Sequence, residues 1–194
     1  MLRIILTRPG STEFDEQRRI TGTLSIPLSN QGAQQAVNTA KDLLAEKIEV
    51  IYASNCESAS QTANALAELS RVKVKQLEGL QNLDHGLWQG KLIDDVRQKQ
   101  PKVYRQWQEC PETICPPDGE MLVEAQQRVK MTLRKLLKKH KDGVIAIIAP
   151  EPMTSLIRCY LSGGELGNLW KAECAGGSWE SIDVEPNEVV VNSR

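Results

Sequence analysis

The stretch Leu6-Thr7-Arg8-Pro9-Gly10-Ser11-Thr12 closes the apolar run MLRII and opens a long loop of the kind that cradles an anion. Arg8 can grip such an anion beside backbone amides. It can equally pair with Asp15 or Glu151, and the ion pair is the expectation, because a cation among carboxylates seeks them. Pro9 is the discordant residue: its ring offers no lone pair for attack and no backbone N–H. His85, directly after Asp84, is the best candidate for acid–base work, with Asp84, Asp15 or Glu151 available to tune it. Its plainer reading is a hydrogen-bonded loop histidine. Cys56 lies near the start of a predicted helix, where the macrodipole can favour a thiolate, but a small buried thiol on the helix's inner face is the simpler expectation.

The 194 residues, 40% hydrophobic and 25% charged, suit a single domain over 1–194. A formal net charge of −1 gives no footprint for nucleic acid. The five cysteines are odd in number and lack CxxC spacing, which fits free thiols in a reducing cytoplasm. With His85 and His140 the only histidines, no metal site and no cofactor are expected. The apolar run VIAIIA is too short to span a bilayer, so a cytoplasmic protein with no membrane association is expected. The basic run RKLLKKHKD reads as the solvated end of a helix; an anion-binding patch would need aromatic or additional basic partners.

These side chains must be placed by an alternation of strands and helices. Leu2 to Thr7, Val50 to Ala53, Val72 to Leu77 and GVIAIIAP read as strands, the last central by its unbroken apolarity. Helical spacing runs from Ser29 through Leu44, from a Ser54–Glu57 capping box to Leu69, on both sides of Pro101, from Met121 to Leu137, and from Glu151 to Leu161. SWESIDVEPNEVVVN suits a closing hairpin about Pro186-Asn187. Trp88, Trp107, Trp170 and Trp179 are half of the eight aromatic residues and are expected to anchor packing; Trp88 and Trp107 are alternatively platforms at a cleft.

Five segments in order, LTRPGSTEFDEQRRITGTLSIPLSNQGAQQA, IYASNCESASQTANAL, LQNLDHGLWQG, PPDGEMLVEAQQRV and VIAIIAPEP, resemble the histidine phosphatase superfamily, the phosphoglycerate mutase-like group. The resemblance covers most of the chain. It implies an α/β three-layer sandwich, a mixed, mostly parallel sheet with helices on both faces, and a pocket at the carboxyl ends of the strands. It also implies a nucleophilic histidine, two arginines and a second histidine around the phosphoryl group, and a proton-donating acid. Of these only Arg8 is matched. Pro9 falls at the nucleophile, Ser58 at the second arginine, Asn82 at the proton donor and Pro150 at the second histidine, with Glu151 where glycine is common. Gly10, Gly22, Pro27-Leu28, Gln61-Thr62 and Gly119-Glu120 keep the framework.

The resulting expectation is a catalytically degenerate pseudophosphatase, with no catalysis by the family mechanism and a ligand- or protein-binding function. Its candidate pocket comprises Arg8, Asp15, Asp84, His85 and Glu151. The small molecule or protein partner is not specified, and a homo-oligomer is compatible. The alternative is a phosphomonoesterase or other hydrolase of altered mechanism using His85 and nearby carboxylates. A structural or assembly subunit is the third reading. Both prolines should lie just beyond strand ends, where no ladder needs their missing N–H.

Overall fold

A computed structural model describes residues 1–163, 166, 176–187 and 189. Trp170 and Cys174 lie outside the described residues. In chain order the main elements are β1 (Leu2–Thr7), α1 (Glu13–Glu16), α2 (Asn30–Asp42), β2 (Val50–Ala53), α3 (Glu57–Ser70) and β3 (Val74–Gln76). They continue with α4 (Ile93–Lys99), α5 (Pro101–Glu109), α6 (Leu122–Lys139), β4 (Gly143–Ile148), α7 (Met153–Ser162) and β5 (Trp179–Val184).

The strands form one sheet in the order β3-β2-β4-β1-β5. All neighbours are parallel except β5, which runs antiparallel to β1. The unbroken apolarity of β4 follows from coverage on both faces, and side chains of β1 and β4 alternate between two cores. Leu2, Ile4, Leu6, Ile145 and Ile147 pack on one side with Val129, Leu133 and Leu137 of α6 and Leu156 of α7. Ile5, Ala146 and Ile148 pack on the other with Ala40 of α2 and Ala59, Ala63 and Leu66 of α3. The sheet with helices on both faces is therefore as the segments imply.

Local chemistry sets the helix boundaries. The Ser29 hydroxyl accepts from the Gly32 amide at 3.0 Å and caps α2. Pro101 begins α5, where its missing N–H costs nothing. The Ser54–Glu57 capping box does not form: the Ser54 amide extends the sheet by donating to the Ile148 carbonyl at 2.9 Å, and Cys56 becomes the N-cap without a side-chain bond. The hairpin about Pro186-Asn187 is likewise corrected. β5 pairs with β1, Pro186 and Asn187 are helical, and residues 190–194 lie outside the described residues.

Trp88 and Trp107 are core residues with their rings edge to face, centroids 6.1 Å apart, and are not cleft platforms. Trp179 is partly exposed on β5. Cys56, Cys110, Cys115 and Cys159 are free thiols. Among the described residues no helix is long and apolar enough to cross a membrane, and no group of three or more His, Cys, Asp or Glu is placed to hold a metal.

Candidate functional site

Pro9 and Pro150 each stand two residues beyond a strand, after β1 and β4. The ladder closes just before them, where Ala149 N–H donates to the Thr7 carbonyl at 3.1 Å and Arg8 N–H to the Ser178 carbonyl at 2.9 Å. Both prolines line one small pocket, of about 50 Å³, together with Arg8, Ser58, Asn82 and Glu151. Asp15, Thr12, Thr21, Gly10, Gly22 and Gly176 complete it. The four positions that the resemblance assigns to lost reactive groups, Pro9, Ser58, Asn82 and Pro150, thus converge on a single cavity from four separate segments.

The loop after β1 is held against two helices. Gly10 N–H donates to the Thr62 hydroxyl at 3.1 Å, and that hydroxyl donates to the Ser58 carbonyl at 2.8 Å. Ser11 N–H reaches the Gln35 side chain at 2.8 Å. The approach is close enough to require glycine on both sides: a Cβ on Gly10 would stand 2.1 Å from the Gly32 carbonyl oxygen, and one on Gly32 1.9 Å from that of Ser11. Gln61 and Thr62 therefore belong to the framework because they stitch α3 to the loops, Gln61 accepting from Leu28 N–H at 2.9 Å.

Arg8 and Glu151 form a direct ion pair, as expected from their types. Glu151 is further fixed by Ser155, whose hydroxyl donates to Oε2 at 2.7 Å and whose amide donates at 3.3 Å. Asp15 lies in a capping box with Thr12. Its Oδ2 accepts from the Thr12 amide at 2.6 Å and the Thr12 hydroxyl at 2.7 Å, while the Asp15 amide donates back to that hydroxyl. Burial pushes the Asp15 carboxyl above the usual carboxylate range; the Thr12 hydrogen bonds oppose this and the charge of Glu16 reinforces it.

Asn82 is presented on a braced loop. Its amide donates to the Gly22 carbonyl at 3.0 Å and its carbonyl oxygen accepts from Leu83 N–H at 2.9 Å. Arg128 of α6 holds that loop from behind. It contacts both Glu120 oxygens at 2.8 Å and donates to the carbonyls of Gly79, Gln81 and Asn82. A planar fork with five donors suits this task better than a single ammonium.

Two sequence-predicted members of the pocket fall elsewhere. His85 is fully buried, its ring edge to face with Trp107 at a centroid distance of 5.5 Å, and it does not line the pocket. Asp84 turns its carboxylate back to Gly86 N–H at 2.8 Å, and its carbonyl accepts from Glu120 N–H. Both are therefore loop-shaping residues, because the turn at 84–86 directs the histidine inward onto an aromatic core. Cys56 is half-buried, with Sγ 3.6 Å from the Ser58 hydroxyl, and is not in the lining either.

Thr12, Thr21 and Gly176 were not identifiable as pocket residues from their types. Thr12-x-x-Asp15 carries a readable signal, the capping pattern, which would have placed Asp15 at the start of a helix beside the loop. The described lining holds one cation, Arg8, and two carboxyl groups, Asp15 and Glu151. It has groups to hold an oxyanion and to exchange protons, and neither imidazole nor thiol for covalent transfer.

Residues 4–194 match the family model described as the histidine phosphatase superfamily (branch 1). The chain is 30% identical over 191 residues to Phosphoserine phosphatase 1 of Hydrogenobacter thermophilus, covering 98% of this chain and 90% of that protein. It is 24% identical to Adenosylcobalamin/alpha-ribazole phosphatase of Escherichia coli, over 100% of this chain and 97% of the other. The solved structure of Bacillus stearothermophilus YhfR superposes with a TM-score of 0.84 at 26% identity, over 95% and 92% of the two chains. Full-length similarity to proteins named as phosphatases overturns the expectation of a pseudophosphatase: the missing reagents at Pro9 and Pro150 do not by themselves define a binding protein.

Proposed function

The chain belongs to the histidine phosphatase superfamily, and we propose that it is a phosphomonoester hydrolase that works without a phosphohistidine. The observation that carries this reading is the presence of Asp15, Glu151 and Arg8 in the one pocket at the strand ends of a chain whose full-length relatives bear phosphatase names. The placement of Pro9 and Pro150 favours direct attack by water over a covalent intermediate.

Phosphoryl transfer passes through a loose transition state, so positioning and charge stabilisation supply most of the catalysis. Arg8 offsets charge on the phosphoryl oxygens, and the Asn82 side chain lines the same space. Asp15, held in its acid form to higher pH than an ordinary carboxyl, donates a proton to the ester oxygen as its bond to phosphorus breaks. Water supplies the new oxygen and gives its proton to Glu151; solvent then returns both carboxyls to their starting states. The products are an alcohol and inorganic phosphate. His85 has no part in this chemistry, since it lies in the aromatic core.

Hydrolysis of O-phosphoserine and p-nitrophenyl phosphate by the wild type and Asp15→Asn tests this. Loss of the proton donor should lower kcat about 100-fold for the alkyl ester and much less for the nitrophenyl ester, whose leaving group needs little protonation. Absence of turnover with both esters, or an equal rate in the variant, would overturn the reading.

A further inference from the structure

The solvated-end reading of the basic run near residue 139 depends on whether aromatic or further basic groups join it, and in the fold they do. Tyr52 of β2 and Lys75 of β3 are direct register partners, so their side chains leave the sheet on the same face. The end of α6 crosses that face. Lys139 donates to the Tyr52 hydroxyl at 3.2 Å, and the same hydroxyl lies 2.8 Å from His140 Nε2. Tyr52 is only 2% exposed, so the Lys139 ammonium is anchored on a buried group.

That anchor places it against Lys75. The contact with Lys139, then its charge, slight burial and the charge of Lys73 lower the Lys75 amine, while the Tyr52 hydrogen bond chiefly raises that of Lys139. The groups facing this point are Lys73 and Lys75 from the β3 side and Lys139 and His140 from the end of α6, with Glu49 acting on His140. Lys141 turns away to Asn187 at 3.2 Å. The α6 carboxyl end favours Lys139, but the β3 lysines gain nothing comparable from it.

We infer that the Lys75–Lys139 pair over Tyr52 is an oxyanion site, taking inorganic phosphate or the phosphate group of a small molecule. It shares no residue with the strand-end pocket. With one N–H of Lys139 committed to Tyr52, an anion between the two exposed ammonium groups converts their repulsion into two charge-assisted hydrogen-bonded contacts. A tetrahedral oxyanion has enough acceptors to bridge both lysines.

Amide NMR during titration with inorganic phosphate, against chloride at matched ionic strength, tests the site. Saturable shifts are expected at Lys75, Lys139 and His140, with affinity at least tenfold weaker in Lys75→Gln and in Lys139→Gln. Both side chains are exposed, so these variants keep the packing, and the remaining spectrum verifies it. Signals from Gly10 and Ser58 report the strand-end pocket separately, so failure of one site is distinguishable from failure of the other. Equal shifts with chloride, no saturation, or unchanged affinity in both variants would overturn the inference.

Discussion

Arg8 and Glu151, 143 residues apart in the chain, meet in an ion pair in the pocket lining, and Ser155 holds the other carboxylate oxygen. The pair is mostly withdrawn from solvent, with side-chain exposures of 13% and 4%. An incoming oxyanion must therefore share Arg8 with a fixed negative charge. Glu151→Gln removes that competitor and should tighten orthovanadate or phosphate binding about tenfold, about 1.4 kcal/mol, by calorimetry. The same variant should turn over more slowly, because it lacks the base. Unchanged oxyanion affinity would show that Glu151 does not control access to Arg8.

Asp15 ties stability to pH. Its folded-state carboxyl titrates above its unfolded value, chiefly through burial. Its contribution is thus fully present below the unfolded carboxylate pKa and is lost as pH rises through the elevated folded one. Asp15→Asn does not titrate, so the stability of the variant relative to wild type should increase from acid toward neutral pH. Urea unfolding at intervals from pH 3 to 7, on the order of five points, reads the difference. A difference that is flat with pH, or that falls, contradicts the assigned direction.

Arg128 should matter to the pocket without touching it. Arg128→Ala strips two contacts from Glu120 and three from the 79–82 carbonyls. The expected cost is about 2–3 kcal/mol in urea unfolding, with faster amide exchange at Leu83, whose N–H rests on Asn82. Arg128→Lys should recover less than half, since one ammonium cannot span the fork.

His85 provides a contrasting case. His85→Phe keeps an aromatic ring against Trp107 and should leave the pH dependence of phosphomonoester hydrolysis unchanged in the folded variant. A pH profile that changes shape in this variant would return His85 to the chemistry.

β1 and β4 were legible as strands because β4 is apolar on both faces and β1 on one, and the prolines at 9 and 150 were legible as residues beyond strand ends because neither can serve a ladder. The convergence of Pro9, Ser58, Asn82 and Pro150 followed from motif order. His85 was not legible as a core residue: its partner Trp107 lies on another helix, and nothing in DHGLW says which way the ring turns. Ser54 misled for a local reason, since its type suits a cap while its amide is drawn into the sheet beside Ile148. The missing imidazoles point away from activity and make a hydrolase of altered mechanism only the alternative, whereas the full-length relatives bear phosphatase names and Asp15 and Glu151 share the cavity with Arg8.

β1 is synthesised before both of its neighbours in the sheet, β4 and β5, which begin only at Gly143 and Trp179. A nascent chain that stops short of Gly143 therefore carries β1 with two open edges. That ribbon can zip up on a first side only once β4 has left the ribosome, so vectorial synthesis holds both of its edges open to stray pairing until then.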